Sequence, residues 1–499
     1  MPGSSSAASA LSCLTTSPRQ RGPRMQSPTS KELLKLQRME MSLVRAVLAQ
    51  PTFLLEREYQ QLRYLLGFAR LHRFAPGAAL REAARAEVET DQDLVAPLRE
   101  QVLQQLYPPL RREDKPQARL SGAMKRLPAL LPLIQSARRQ LLDRHRNDFS
   151  EAELDAEVGR RALVTIAGGG GGAGYVYIGA AARLRAEGLS SDYLVGASIG
   201  ALIGAFLARS RKLDIEALLD WAKGLRVRDM FGRPFIGATH TLPGLTRLHL
   251  RGMHRLFVHP DGSPMRLRDM EIPYEAVIAG VRTAIYDHLP ATLRDVIAPG
   301  RRHHSFSRLL AERMLLIGAM VSPQVVRAIP LGRDEATRDT RVVDAVGLSA
   351  AIPAVLQYEP PQRDAITDDI LAQLRRHEDV ALFVDGGVAS NVPARIAWEG
   401  VQAGRIGTRS AFYLALDCFH PRWDSRHLWV WPVTQAIQLQ LPSQRPYFDW
   451  LMRFDPTLSP VNLLPSPADF DQAFQWGWAQ ADVMMPFLLK ALQPVRWMP

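Results

Sequence analysis

Cysteine is scarce in this sequence, and so are long apolar segments. Only Cys13 and Cys418 occur among the 499 residues, and they lie far apart. Two isolated cysteines cannot build a disulfide framework, so the sequence does not require an oxidising compartment. The longest charge-free apolar run, Tyr193–Ala208, is too short and too rich in glycine for a membrane-spanning helix. We therefore predict no transmembrane segment.

Acidic residues are in deficit. The chain has 62 Lys and Arg against 50 Asp and Glu, which gives a formal net charge of +12. This excess favours anionic partners, either a lipid surface or a nucleic acid. An arginine-rich composition with a solvated charged face explains the same balance. No histidine pair has metal-ligand spacing with a partner carboxylate, so we predict no metal site and no cofactor.

Two strand–loop–helix units follow one another in the middle of the chain. The apolar strand Ala162–Ala167 leads into the glycine run Gly168–Gly172, and a second strand leads into Gly196-Ala197-Ser198-Ile199-Gly200. In a G-x-S-x-G sequence the serine occupies a strained strand-to-helix turn, where side chains on the flanking Gly196 and Gly200 would crowd the backbone. The pattern predicts Ser198 as a nucleophile.

The glycine run supplies the second part of such a site. Its backbone N–H groups are free to bind a developing oxyanion, and the absence of side chains lets a substrate approach closely. We predict that the amides of Gly169, Gly170, Gly171 and Gly172 form an oxyanion hole. A dinucleotide-binding motif would need an acidic residue where Gly196–Gly200 stands, and a phosphate-binding P-loop would need a lysine that is missing here.

An aspartate supplies the third part. Asp385 follows the apolar strand Val380–Val384 and precedes Gly386 and Gly387. An aspartate at the carboxyl end of a strand can reach a serine on a neighbouring strand. We predict Asp385 as the general base that accepts the Ser198 proton.

At this point the sequence resembles the patatin-like phospholipases. That family combines a G-G-G-x-x-G loop ending here at Gly174, a G-x-S-x-G elbow and a D-G-G/A motif, and the resemblance implies a Ser–Asp dyad without histidine. It also covers the segment before the strand at Tyr274 and the S-x-A-x-P segment Ser349–Pro353. One departure is Ala173, which stands where the family usually has arginine or lysine.

The resemblance implies an α/β fold, a three-layer sandwich with a mostly parallel central sheet, preceded by a helical N-terminal region. The predicted divisions are a disordered tail, a helical region, the patatin-like catalytic domain and a helical C-terminal extension packed on it; they comprise residues 1–30, 31–156, 160–421 and 422–499. The acid-free tail is compatible with a transit-type presequence but lacks the apolar segment of a secretory signal.

The function implied by the resemblance is lipid acyl hydrolysis, of the phospholipase A, lysophospholipase or acylglycerol lipase type. We expect a lipid substrate at a membrane or micelle surface, including an anionic one, and no nucleic-acid partner. We expect the protein to be cytoplasmic or peripherally membrane-bound. The sequence carries no signal of an oligomeric state.

Two alternatives remain open at this stage. The chain order Ser…Asp…His of an ordinary α/β-hydrolase triad is met by Ser198, then Asp385 or Asp417, then His420. A non-catalytic lipid-binding protein on the same fold is the other alternative, supported by Ala173 and by the large N-terminal region.

Overall fold

The computed structural model describes residues 27–212, 214–233, 240–286, 288, 318, 320–360, 364–421 and 431–498. Most of the predicted N-terminal tail, residues 1–26, therefore lies outside the described residues. The same holds for the start of the predicted C-terminal extension, residues 422–430.

The region before the first central strand is helical, as predicted. Its helices span Ser30–Ala49, Glu56–Ala69, Gln92–Arg111, Pro116–Met124, Leu127–Arg144 and Glu151–Gly159. The first helix begins with a capping box in which Thr29 and Glu32 each accept a hydrogen bond from the other's backbone N–H. Buried aliphatic and aromatic residues give these helices a core of their own, centred on Leu62, Phe68 and Leu106.

The rest of the described chain alternates strands and helices. The remaining helices span Val176–Ala186, Ile199–Arg209, Ile215–Lys223, Val227–Met230, Arg251–His254, Thr283–Tyr286, Val342–Ser349, Ala365–Glu378, Gly386–Ser390, Ala394–Gln402, Trp431–Gln438, Leu441–Gln444 and Pro467–Leu492. Two-residue strands at Arg73–Phe74 (β1) and Val88–Glu89 (β2) form a small separate pair. Another small sheet joins β5 (Phe231–Gly232), β6 (Thr246–Leu248) and β9 (Leu356–Tyr358).

The central sheet confirms the predicted fold class. Its members are β3 (Ala162–Ala167), β4 (Tyr193–Ala197), β7 (Tyr274–Arg282), β8 (Val326–Leu331), β10 (Val380–Asp385), β11 (Ala411–Asp417) and β12 (Trp450–Arg453). They lie in the order β10-β7-β4-β3-β11-β12, with β8 also paired to β7. β12, β11, β3, β4 and β7 are mutually parallel, whereas β8 and β10 run antiparallel to β7.

Helices cover both faces of this sheet because its strands are apolar on both sides. In β3, Leu163 packs into the core beneath the helix Ile199–Arg209, while Val164 and Ile166 join the opposite core beneath the helix Ala394–Gln402. This two-sided burial is typical of parallel sheets, in which helical crossovers cover both faces.

The C-terminal extension adds a strand as well as helices, which the sequence did not predict. β12 pairs with β11 so that Trp450 lies opposite Leu414 and Arg453 opposite Asp417. The long helix Pro467–Leu492 then packs along Val176–Ala186. No helix in the described part of the chain combines the length and apolar character needed to cross a membrane.

A buried ionic cluster joins the N-terminal helices to the central sheet. The fully buried carboxylate of Glu40 accepts hydrogen bonds from Arg63, Arg70 and Arg161 at 2.5–3.1 Å. Arg161 directly precedes β3. Arg63 also donates to the backbone carbonyls of Lys490, Ala491 and Gln493, so the second helix is held to the end of the last one.

Candidate active site

Ser198 lies at the turn between β4 and the helix Ile199–Arg209. Its backbone is left-handed, with φ 55° and ψ −126°, a conformation that costs energy for a residue with a side chain. A Cβ on Gly200 would come within 2.2 Å of the carbonyl oxygen of Ala167, so glycine is required beside the turn. The Ser198 N–H donates to Ser349 Oγ at 3.0 Å, and that hydroxyl donates to the Val277 carbonyl at 2.6 Å.

The register of two strands on β7 brings Ser198 and Asp385 together. β4 runs parallel to β7 and ends with Ala197 opposite Val277. β10 runs antiparallel to β7 and ends with Asp385 opposite Ile278. The two strands flank β7 on opposite edges, and their carboxyl ends reach adjacent positions of it. The sequence prediction placed the aspartate on a strand next to that of the serine, whereas β7 lies between them.

The carboxylate of Asp385 is buried, and no cationic side chain of the described residues lies within ion-pair distance of it. One oxygen, Oδ1, accepts a 2.7 Å hydrogen bond from the Gly387 N–H. The other, Oδ2, is buried and has no hydrogen-bond partner among the described residues. Burial raises the pKa of Asp385 to about 7, and the neighbouring Ser198 hydroxyl and the Gly387 N–H offset part of that rise. Such a carboxylate is poised to accept a proton near neutral pH.

The amides of the glycine run differ in what they bind. The Gly169 N–H donates to the Asn391 carbonyl at 3.2 Å, and the Gly172 N–H donates to the Pro460 carbonyl at 2.9 Å. Among the described residues, the N–H groups of Gly170 and Gly171 have no backbone or side-chain acceptor. Both residues line the same cavity as Ser198. A Cβ on Gly169 would lie 3.0 Å from Ser198 Cβ, so the run passes directly over the serine.

Ser198 and Asp385 line an apolar cavity of about 660 Å³. This volume is in the range of small-molecule binding sites. Its lining includes the apolar residues Val227, Phe231, Leu245, Val433 and Ile437. The loop Pro460–Leu464 of the C-terminal extension also contributes to its wall. The arrangement can hold an apolar chain with its reacting carbonyl at Ser198.

A family model for patatin-like phospholipases matches residues 165–398. These residues form a patatin-like phospholipase domain. The match contains Ser198 and Asp385, whereas the last strands and the C-terminal extension lie beyond it. A domain of this type supports an activity in the general class of lipid acyl hydrolases. No curated protein matches the chain closely enough to count as a relative.

The remaining motif glycines of the patatin-like domain lie at the same site. Gly174 ends the glycine loop against Ile199, and Gly386 and Gly387 begin the short helix that follows Asp385. Ala173 is 1% exposed, so the position that usually carries a cation in this family is buried here. His420 is half-buried and is not among the described residues that line the cavity.

Sequence reasoning missed several residues of this site. Ser349 was noted only as part of a motif, yet its hydroxyl fixes the backbone of Ser198. Asn391 was given no role, although its carbonyl binds the Gly169 N–H and the residue lines the cavity. Its place shortly after the D-G-G motif was the available signal. No sequence signal pointed to the part of the cavity wall formed by Pro460–Leu464, because its residues are of types common in loops.

Proposed function

We propose that this protein is a lipid acyl hydrolase that uses Ser198 as nucleophile and Asp385 as general base. One observation carries the proposal: a serine with a positive φ lies beside a buried aspartate that has no cationic partner in the described part of the chain, at the wall of an apolar cavity. A purely structural serine would not need the strained backbone, and a structural buried aspartate would normally be paired.

The reaction divides into acylation and deacylation. Asp385 accepts the Ser198 hydroxyl proton as Oγ attacks the ester carbonyl, which gives a tetrahedral oxyanion. Collapse of this intermediate breaks the bond to the alcohol, and Asp385 returns the proton to the leaving oxygen. Water then attacks the acyl-serine carbonyl while Asp385 again accepts a proton. The bond between the acyl carbon and Oγ breaks, Asp385 returns the proton to Oγ, and a fatty acid is released.

The oxyanion is best served by the amides of Gly170 and Gly171. The predicted hole comprised the amides of Gly169–Gly172, but those of Gly169 and Gly172 already donate to backbone carbonyls. Removing one preorganised donor from an oxyanion hole costs about 2.7–4 kcal/mol. The two amides of Gly170 and Gly171 can therefore supply a large part of the stabilisation of the oxyanion.

The positive charge has a local focus that fits an anionic lipid surface. Arg45 and Arg445 line an open cleft of about 480 Å³ that is otherwise walled mainly by aromatic and aliphatic residues. In the described part of the chain, no carboxylate lies within ion-pair distance of these residues or of Arg38 and Arg111. Burial, together with repulsion from neighbouring arginines, lowers the pKa values of Arg38 and Arg45, and the nearby Asp449 offsets part of this at Arg45. Peripheral binding to an anionic membrane would relieve this repulsion.

Hydrolysis of a panel of phospholipids, lysophospholipids and acylglycerols by the full chain tests the proposal, with Ser198→Ala and Asp385→Asn as matched variants. We expect turnover by the wild type and none by either variant. A fluorophosphonate probe should label the wild type at Ser198. Absence of both turnover and labelling would favour the non-catalytic lipid-binding alternative, and robust turnover by Ser198→Ala would exclude the mechanism.

A separate vesicle assay tests the surface. We expect stronger binding to vesicles that contain anionic lipid, and a weaker preference as salt rises, because charges beyond about 8 Å are screened at physiological ionic strength. Equal binding with and without anionic lipid would contradict this part of the proposal.

A further inference from the structure

The C-terminal loop Ser459–Leu464 lies outside the residues that match the family model, yet it contacts the glycine loop directly. The Gly172 N–H donates to the Pro460 carbonyl at 2.9 Å. The Tyr175 hydroxyl, just beyond the glycine loop, donates to the Leu463 carbonyl at 2.8 Å. These hydrogen bonds hold both ends of the segment that follows Gly170 and Gly171.

The contact is too close for side chains on the glycine loop. A Cβ on Gly171 would lie 2.2 Å from the Pro460 carbonyl oxygen, and Gly171 also has a φ of 55°. A Cβ on Gly172 would lie 2.2 Å from the Asn462 carbonyl oxygen and 2.5 Å from that of Ser459. The run of five glycines therefore matches the backbone of this particular C-terminal loop as well as the needs of an oxyanion hole.

The loop is itself anchored, so it can act as a fixed support. Asn462 Nδ2 donates to Asp469 Oδ2 at 3.3 Å. Asp469 belongs to the capping box with Ser466 that begins the helix Pro467–Leu492. That helix packs closely on Val176–Ala186, where a Cβ on Gly179 would lie 1.9 Å from the Phe474 carbonyl oxygen.

Its side chains face the substrate cavity. Val461, Leu463 and Leu464 all line the cavity that contains Ser198. Val461 is 48% exposed, so its side chain has room to be enlarged toward the open space. At the buried Ala173 there is no basic side chain to support the glycine loop from within the domain.

We propose that the loop Ser459–Leu464 is a working part of the active site, whose backbone positions the Gly170 and Gly171 amides and whose side chains select the acyl chain. The inference rests on the proposed hydrolase function. Tyr175, whose hydroxyl donates to the Leu463 carbonyl, is a positioning residue, because it acts through the glycine loop and does not touch the substrate.

The positioning role is tested with Tyr175→Phe, which removes one hydroxyl and keeps the aromatic contact with Phe470. We expect kcat to fall about tenfold with KM within twofold, because a displaced donor affects the transition state more than substrate binding. Tyr59→Phe is the matched control, since its hydroxyl also donates to a backbone carbonyl of the C-terminal extension, that of Lys490. An unchanged kcat for Tyr175→Phe, or an equal loss in the control, would overturn this role.

The selective role is tested with Val461→Phe against Val483→Phe. Val483 is a 78% exposed valine of the same extension and does not line the cavity. On p-nitrophenyl esters, Val461→Phe should lower kcat/KM for a long acyl chain about tenfold relative to a short one. Val483→Phe should leave that ratio unchanged. An unchanged ratio for Val461→Phe would show that the loop does not select the chain.

A binding measurement separates failure of this inference from failure of the proposed function. In the Ser198→Ala background, a fluorescent long-chain fatty acid reports on the cavity without any turnover. We expect Val461→Phe to weaken its binding about tenfold relative to Val483→Phe. If wild-type turnover is absent but this difference in binding is found, the proposed hydrolysis is wrong, while the role of the loop in binding the acyl chain is supported. Equal fatty-acid affinities of the Val461→Phe and Val483→Phe variants would contradict the role of the loop in binding the acyl chain, whether or not the protein is a hydrolase.

Discussion

Glu40 and Asp385 are both fully buried carboxylates, and they have opposite environments. Glu40, in the first helix, contacts the guanidinium groups of Arg63, Arg70 and Arg161, and these hold its pKa well below the usual range. Asp385 has no cationic partner among the residues that the structure describes, and burial raises its pKa to about 7. A structural carboxylate is thus fixed in its charged form, whereas a general base must exchange a proton.

A raised pKa alone does not mark the site. Burial also raises the pKa of Glu157 to about 7 and that of Asp449 to about 6. Asp449 is held by the Gln37 side chain and the Tyr413 N–H, and neither acid lines the cavity with Ser198. Asp385 differs in that its carboxylate lies beside a strained serine and an open cavity. The comparison therefore predicts different outcomes when each acid is neutralised.

Neutralising Asp385 should have the largest effect on activity. Asp385→Asn keeps the size of the side chain but cannot accept the Ser198 proton, so we expect turnover to fall about 10⁴-fold with little change in fold. Initial rates on a lipid substrate, compared with circular dichroism of the same samples, measure this. A variant that retains a tenth of wild-type activity would remove Asp385 from the role of base.

Neutralising Glu40 should affect stability instead. Glu40→Gln leaves three buried guanidinium groups facing an uncharged partner, which costs about 3–5 kcal/mol in the free energy of unfolding. Urea denaturation measures the loss, and kcat per folded molecule at low temperature should match that of the wild type. A variant that is as stable as wild type would show that the cluster is dispensable.

Ser198 and Asp385 were predictable as candidate site residues because local sequence encodes their turns. The predicted strand Ala162–Ala167 agrees with the structure, the predicted strand Val380–Val384 ends one residue before the observed β10, and the glycines beside Ser198 are required by close backbone contacts. The choice of Ser198 as the proposed nucleophile followed from spacing within a few residues.

The supports of the site were not predictable because they join distant parts of the chain. Ser349 reaches Ser198 across 151 positions, and Leu463 reaches Tyr175 across 288. The antiparallel direction of β10 also depends on pairing with β7, for which Val380–Asp385 carries no directional signal. Short apolar strands look alike whichever way they run.

The pH dependence of the free energy of unfolding provides a further test of the contrast between Asp385 and Glu40, with a smaller expected effect. The folded pKa of Asp385, about 7, is above the ordinary value of 3.8, so the folded state holds this proton more tightly than the unfolded state. Its ionisation therefore removes stability as pH rises from about 4 to about 7, and the loss is then constant. Asp385→Asn should gain stability over wild type across that window, on the order of 1–4 kcal/mol. Urea denaturation of both proteins at pH 5 and pH 8 gives the difference between their free energies of unfolding. The contributions of the other buried acids are the same in both proteins and cancel in this difference.

The smallest effect is expected at His420, and it separates a dyad from a triad. In a triad the histidine is the base, and its loss costs on the order of 10⁴-fold. In the proposed dyad Asp385 takes the proton directly, so His420→Ala should change the rate by less than about tenfold, or about 1.4 kcal/mol. A pH–rate profile cannot make this distinction, because the pKa of about 7 for Asp385 lies next to the ordinary histidine value of about 6.5. The variant must therefore decide, with Ser198→Ala as the inactive reference and lipid binding as the check on folding. A His420→Ala protein that binds lipid and labels no faster than Ser198→Ala with a fluorophosphonate would replace the dyad by a triad.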